Sequence, residues 1–166
     1  MKQTELVTVL AETWRQFDDA IADMDEAALI EPGVVEQWSI KDVLGHVSAC
    51  ELRALELAEK WRRNEVETDQ GPSLVDDQNA SEAARRRKWS WQQIARESTD
   101  ARQRMRAMLR TIGDEDWTAT VKIGEHERQL GEWVADEVGG KGPGTHAAEH
   151  AQQVMAWRQA RERHNL

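Results

Sequence analysis

The chain has 166 residues, 39% of them hydrophobic and 32% charged, and its 31 acidic against 22 basic side chains leave a net charge of −9. That length suits one domain, residues 1–166, around one core, and an acidic surface disfavours nucleic acid phosphates and anionic lipid. One cysteine excludes an internal disulfide, no stretch reaches the roughly eighteen apolar residues of a membrane span, and the polar opening "MKQTELVTVLAETWRQF" lacks a signal-peptide core, so a cytoplasmic protein with neither nucleic acid nor membrane partner is expected.

Four long helical patterns follow in order. The first spans about 4–24, with Leu6, Leu10, Thr13, Phe17, Ile21 and Met24 recurring every three or four positions. "EPGVV" (31–35) breaks it, because Pro32 and Gly33 fit poorly inside a helix. "WSIKD" (38–42) opens the second, about 39–64, with Ser39 as N-cap and Asp42 as its capping-box partner. Its apolar stripe is Val43, Val47, Cys50, Ala54, Leu57 and Trp61.

A polar connection, "EVETDQGPSL" (65–74), leads to a third helix expected over about 77–112, with a seam at Trp91, Ile94, Ser98, Ala101, Met105, Met108 and Ile112. After "GDEDW" (113–117), "TATVKIGEHERQL" (118–130) predicts a short hairpin and "GEWVADEV" (131–138) one or two helical turns. "GGKGPG" (139–144) is a flexible stop. The last helix, about 145–163, carries Ala151, Val154, Met155 and Trp157 before a charged tail. The whole reads as an all-α four-helix bundle.

The chemistry concentrates in "GTHAAEH" (144–150). Residues four apart on a helix differ by about 40° in direction, so His146 and His150 point the same way, on the stripe that Val154 and Trp157 continue. His46 lies in the apolar sector of the second helix, beside Val43, Val47 and Cys50. Three inward imidazoles with one open position match the ligand count of a catalytic zinc-type site. The same spacing also fits separate core histidines, each bonded to a carbonyl or carboxylate. The string His146-x-x-Glu149-His150 also matches a metalloprotease pattern that needs a glutamate ligand far downstream. Only Glu162 remains, on the same helix, so a protease is excluded and a third ligand must lie upstream, where His46 is the best candidate. His126 and His164 read as exposed.

The run "PGVVEQWSIKDVLGHVSACE" (32–51) resembles the segment leading into the second helix of DinB/YfiT-like four-helix bundles, and "GTHAAEHAQQVMAWR" (144–158) resembles their last helix. "DDQNASEA" (76–83) is similar to the start of their third, and the nearest likeness is to the DinB subgroup that includes the colibactin self-resistance proteins. This resemblance implies an up-down-down-up bundle whose long connection joins helices two and three. It also implies a divalent metal (zinc, nickel or iron) on His46, His146 and His150. Activities in the family include thiol-dependent S-transferases and isomerases and a cyclopropane-opening hydrolase. The expected function is therefore a metal-dependent enzyme acting on a small electrophile, as a hydrolase or with a low-molecular-weight thiol as partner. The alternative is a non-catalytic metal-binding or stress-associated bundle, homodimeric through exposed helix faces. Where the subgroup usually has tryptophan, this chain has Cys50.

Glu149, rotated from both histidines beside it, reads either as a general base or as a solvated charge. Cys50, one turn from His46, reads as a small hydrophobe before it reads as a ligand or nucleophile. "ARRRKW" (84–89) sweeps round its helix and is taken as a solvated face. Trp38 and Trp157 are the tryptophans expected nearest the site, with core packing as the default for both.

Overall fold

The computed structural model describes residues 1–66, 74–139 and 145–164, excepting the side chains at 74–77, 145, 146 and 164. The element order is α1 (Gln3–Ile21), α2 (Glu26–Leu29), α3 (Ile40–Arg62), α4 (Leu74–Arg86), α5 (Trp91–Thr111), α6 (Asp114–Thr118), β1 (Thr120–Ile123), β2 (His126–Gln129), α7 (Leu130–Gly139) and α8 (Thr145–His164). The long helices α1, α3, α5 and α8 make an all-α bundle in which α1 packs on α8 and α3 on α5 and α7. No described helix is long and apolar enough to cross a membrane.

Local chemistry sets the boundaries of α3. Ser39 Oγ accepts from the Asp42 N–H at 3.2 Å while Asp42 Oδ2 accepts from the Ser39 N–H at 2.9 Å, closing the expected capping box. At the far end Asn64 takes φ +55°. The Asn64 and Glu65 N–H groups then donate to the carbonyls of Trp61 and Lys60 at 3.0 and 2.9 Å, a left-handed stop of Schellman type.

The helix expected over 77–112 is in fact two, α4 and α5, separated at 87–90. Ser90 and Gln93 form a second capping box, at 3.2 and 2.8 Å, that starts α5 afresh. Lys41 Nζ donates to the carbonyls of Arg87 and Trp89 at 3.2 and 3.1 Å, tying the link between α4 and α5 to α3. The expected hairpin is present, with Ile123 opposite His126 and Thr120 opposite Gln129. Gly124, at φ +58°, supplies the backbone that a two-residue hairpin turn needs at its first position. Residues 131–138 lie in the ten-residue α7, longer than expected, and both "ETDQGPS" (67–73) and "GKGPG" (140–144) fall outside the described residues.

The hydrophobic interior has two clusters. One contains Leu6, Leu10, Trp14, Ala54, Leu55 and Met105. The other contains Phe17, Ile40, Val43, Leu44, Ile94 and Val154. Along α3 they occupy opposite ends, and the stretch between, residues 46–51, carries His46, Ser48, Cys50 and Glu51. The predicted seams of α1 and α5 are buried as expected, except for half-buried Ile21, Met24 and Trp91. On α8, Ala151 and Val154 are buried, Trp157 is half-buried and Met155 is 37% exposed.

Gly131 shows how closely the hairpin region packs. A Cβ there would lie 2.3 Å from Cε2 of Trp117, a ring whose Nε1 donates to the Met1 carbonyl at 3.0 Å. Gly131→Ala is expected to cost about 1–3 kcal/mol by overpacking, read as a fall in the urea midpoint with unchanged slope.

Candidate metal centre

His46 projects from the second turn of α3, half-buried, and His150 from the second turn of α8, 8% exposed. Although they come from opposite ends of the chain, their rings meet edge to face, with centroids 5.5 Å apart and planes at 87°. Two imidazoles sharing a tetrahedral ion at a metal–nitrogen distance of about 2.0–2.1 Å place their centroids roughly 5 Å apart. The observed spacing therefore fits a shared ion.

The surroundings of His150 suit ligation as well. Its Nδ1 pairs with Gln153 Oε1 at 2.7 Å. With the carboxamide oxygen facing the ring, this pairing suits the tautomer that carries its proton on Nδ1 and leaves the buried Nε2 as the basic nitrogen. Burial pushes the His150 pKa below its usual value, against smaller upward effects of the Gln153 bond and the Glu149 charge. The ring is held neutral, the form that binds a metal.

His146 lies in the first turn of α8, one turn before His150, and its side chain falls outside the described residues. Among the described residues no three histidine, cysteine, aspartate or glutamate side chains group closely enough to hold a metal. The structure thus brings together two of the three expected ligands, His46 and His150. Glu149 is exposed on α8, and His126 is exposed on β2.

Trp38 closes one side of His46, with ring centroids 5.3 Å apart. A tight turn positions it: the Gly33 and Val34 N–H groups donate to the Trp38 carbonyl at 3.1 and 2.9 Å, and the Trp38 N–H returns to Val35 at 2.8 Å. Gly33 takes φ +115° here, and a Cβ on it would reach to 3.5 Å from Trp157 Nε1. Trp157 itself packs against the second core cluster, as by default.

Cys50 lies one turn along α3, its Sγ 4.0 Å from His46 Nε2 and 3.2 Å from an Arg53 amino group. Burial pushes its thiol up to about 12 despite the Arg53 charge. Thiolate is consequently scarce at neutral pH, and Cys50 in the metal-free protein is expected to resist iodoacetamide at pH 7.5, reacting at least a hundredfold more slowly than the urea-unfolded chain. Labelling followed by mass spectrometry reads this directly.

Sequence reasoning missed three polar features here. Arg86, taken for part of a solvated face, is 5% exposed and clamps Glu97 through Nε at 2.6 Å and an amino group at 3.0 Å. Arg53 joins α3 to α4 and α7 by pairing with Glu82 at 2.7 Å and with Glu137. Glu51 is 2% exposed and accepts from Trp14 Nε1 at 2.5 Å. For Glu51 a signal existed: it falls on the helical repeat of Leu44, Val47, Ser48 and Leu55, all buried. For Arg86 the signal was the Ser90-x-x-Gln93 cap, which ends the preceding helix and turns its last residues onto α5.

Beside His46 opens a cleft of about 390 Å³ between α3, α4 and the Gln37–Trp38 turn. Asp42, Gly45 and His46 form one wall, and Asn79, Glu82, Ala83, Arg86 and Arg87 the other.

The family model of the DinB superfamily matches residues 10–157. No curated relative matches by sequence. Among solved structures, an uncharacterised protein from Escherichia coli UTI89 superposes with a TM-score of 0.79 at 8% identity, over 97% of this chain and 95% of that one. A mycothiol-dependent maleylpyruvate isomerase (mutant form) gives 0.72 at 13% identity, over 93% of this chain but 61% of the isomerase. The sibling lethal factor precursor DfsB gives 0.69 at 12% identity, over 97% of each. Identities this low establish shared architecture and nothing finer. With its family model covering nearly the whole sequence and its helices superposing on these bundles, the chain belongs to the DinB superfamily.

Proposed function

We propose that this chain is a divalent-metal-dependent enzyme acting on a small electrophilic substrate, with His46, His146 and His150 as the ligands. The observation that carries the proposal is the meeting of the His46 and His150 rings at a spacing suited to one ion, between helices distant in sequence. Neutral imidazoles suit zinc, nickel or ferrous iron. Such an ion supplies Lewis acidity that lowers the pKa of a thiol or water.

The chain's own groups do the rest. Gln153 pairs with Nδ1 of His150, Trp38 packs against His46, and the cleft lined by His46 gives a small molecule access to that ring. Of the two reaction types, we favour attack by a low-molecular-weight thiol over hydrolysis. Hydrolysis needs a base beside the reacting water, and Glu149, the nearest candidate by sequence, is exposed on α8. The resemblance in fold to a mycothiol-dependent isomerase supports the same choice.

Cobalt-substituted protein tests the reading. A thiol such as cysteine is expected to shift its visible spectrum, and Glu149→Gln to leave that shift intact. No spectral response to any thiol, together with loss of an ester-hydrolase activity in Glu149→Gln, would overturn thiol transfer in favour of hydrolysis.

A further inference from the structure

The charges around the cleft beside His46 are unevenly paired. Midway, Arg86 is matched by Glu97. At one end lie Arg87 and Lys41, the lysine anchored on the Arg87 carbonyl, against the single carboxylate of Asp42. At the other end Glu82 and Glu137 share the single guanidinium of Arg53. One mouth is therefore net positive and the other net negative.

Each end also keeps hydrogen-bonding capacity. Among the described residues, Arg87 has no carboxylate in ion-pair range. Asn79 Oδ1, one helical turn from Glu82, is buried with no hydrogen-bond partner. A buried acceptor left unmet is costly, so a ligand that donates to it recovers part of that cost. The walls are fixed in advance. Gly45 lets the Arg86 stem cross α3, since a Cβ there would sit 3.2 Å from Arg86 Cδ. The ion pairs of Arg53 and Arg86 hold α4 in place.

We infer that this cleft binds a small zwitterion, its carboxylate on Arg87 and its ammonium on Asn79 and Glu82, laid alongside His46. The inference rests on the reading of this site as one that acts on a small molecule, and it names that molecule's class. A dianion such as a phosphomonoester is disfavoured by Asp42 and Glu82 in the same walls. Size follows from α4: Asn79 and Arg86, its last residue, are about 10 Å apart along the axis at 1.5 Å per residue, and the Arg87 N–H still bonds the Ala83 carbonyl at 3.0 Å just beyond. The Asn79 and Arg87 side chains both line the same cleft, so the gap between their polar ends is shorter than that backbone separation. Such a span matches the two ends of a dipeptide-sized molecule better than those of a single amino acid.

Ligand-observed NMR with three probes, dialanine, N-acetyl-dialanine and dialanine amide, tests this on the full chain loaded with zinc. Dialanine is expected to bind at least fivefold more tightly than either capped form. Arg87→Gln should bring dialanine down to the level of its amide, and Asn79→Ala should bring it down to the level of its N-acetyl form. Equal binding of all three probes, no binding of any, or variants that bind dialanine like the wild type would overturn the inference. Zinc content measured on the same samples separates the two ideas. Zinc bound without dialanine selectivity sinks the zwitterion alone, and selectivity without zinc sinks the metal reading alone.

Discussion

Glu51→Gln is expected to gain stability on the wild type as pH rises, by about 2–3 kcal/mol between pH 5 and pH 9. Burial pushes the Glu51 carboxyl up to about 7, against the Trp14 hydrogen bond and the charges of Arg102 and Arg106, which pull it down. Its reference value of 4.5 is lower, so the folded state holds the proton more tightly than the unfolded chain. The contribution from that proton is complete below about 4.5 and is lost as pH climbs through about 7, at 1.36 kcal/mol for each unit of difference. Glutamine mimics the protonated acid and keeps an acceptor for Trp14, so it does not incur the loss. For a chain of this size the gap corresponds to roughly 4–12 °C in Tm. Thermal melts across the pH range decide it: curves for the two proteins that stay parallel would mean that Glu51 is ionised throughout.

Metal binding gives the second large effect. Zinc added at about a thousand times its Kd is expected to stabilise the wild type by about 4 kcal/mol. His46→Ala and His150→Ala should each abolish that gain and leave little bound metal after desalting. Gln153→Ala, which removes only the acceptor for His150 Nδ1–H, should weaken binding by about 10–100-fold. His126→Ala, on the exposed hairpin, should change nothing. Elemental analysis with melting curves measures all of these. Full zinc occupancy in His46→Ala would remove α3 from the site.

The helices were legible in the sequence because their apolar repeats are regular and their caps are local: Ser39 with Asp42 and Asn64 at its left-handed stop need only a few neighbouring residues. The convergence of His46 and His150 was legible for a related reason, since a polar ring on an apolar stripe must meet something. The division of α4 from α5 was written in Ser90 and Gln93 but masked by the stronger seam that follows. The burial of Arg86 followed from that same overlooked cap, whereas the partnership of Arg53 with Glu82 and Glu137 was not legible at all. Such pairings depend on how three helices lie against one another, and no local spacing encodes that.

The placement of the polar layer has a consequence of its own. On α3 the segment from His46 to Glu51 falls between two separate oily cores, each anchored by residues at its own end of the bundle. Either end can consolidate without help from the middle. The polar groups His46, Cys50 and Glu51 are thus carried on a stretch of helix that belongs to neither oily cluster, so their identities are set apart from the packing at the two ends.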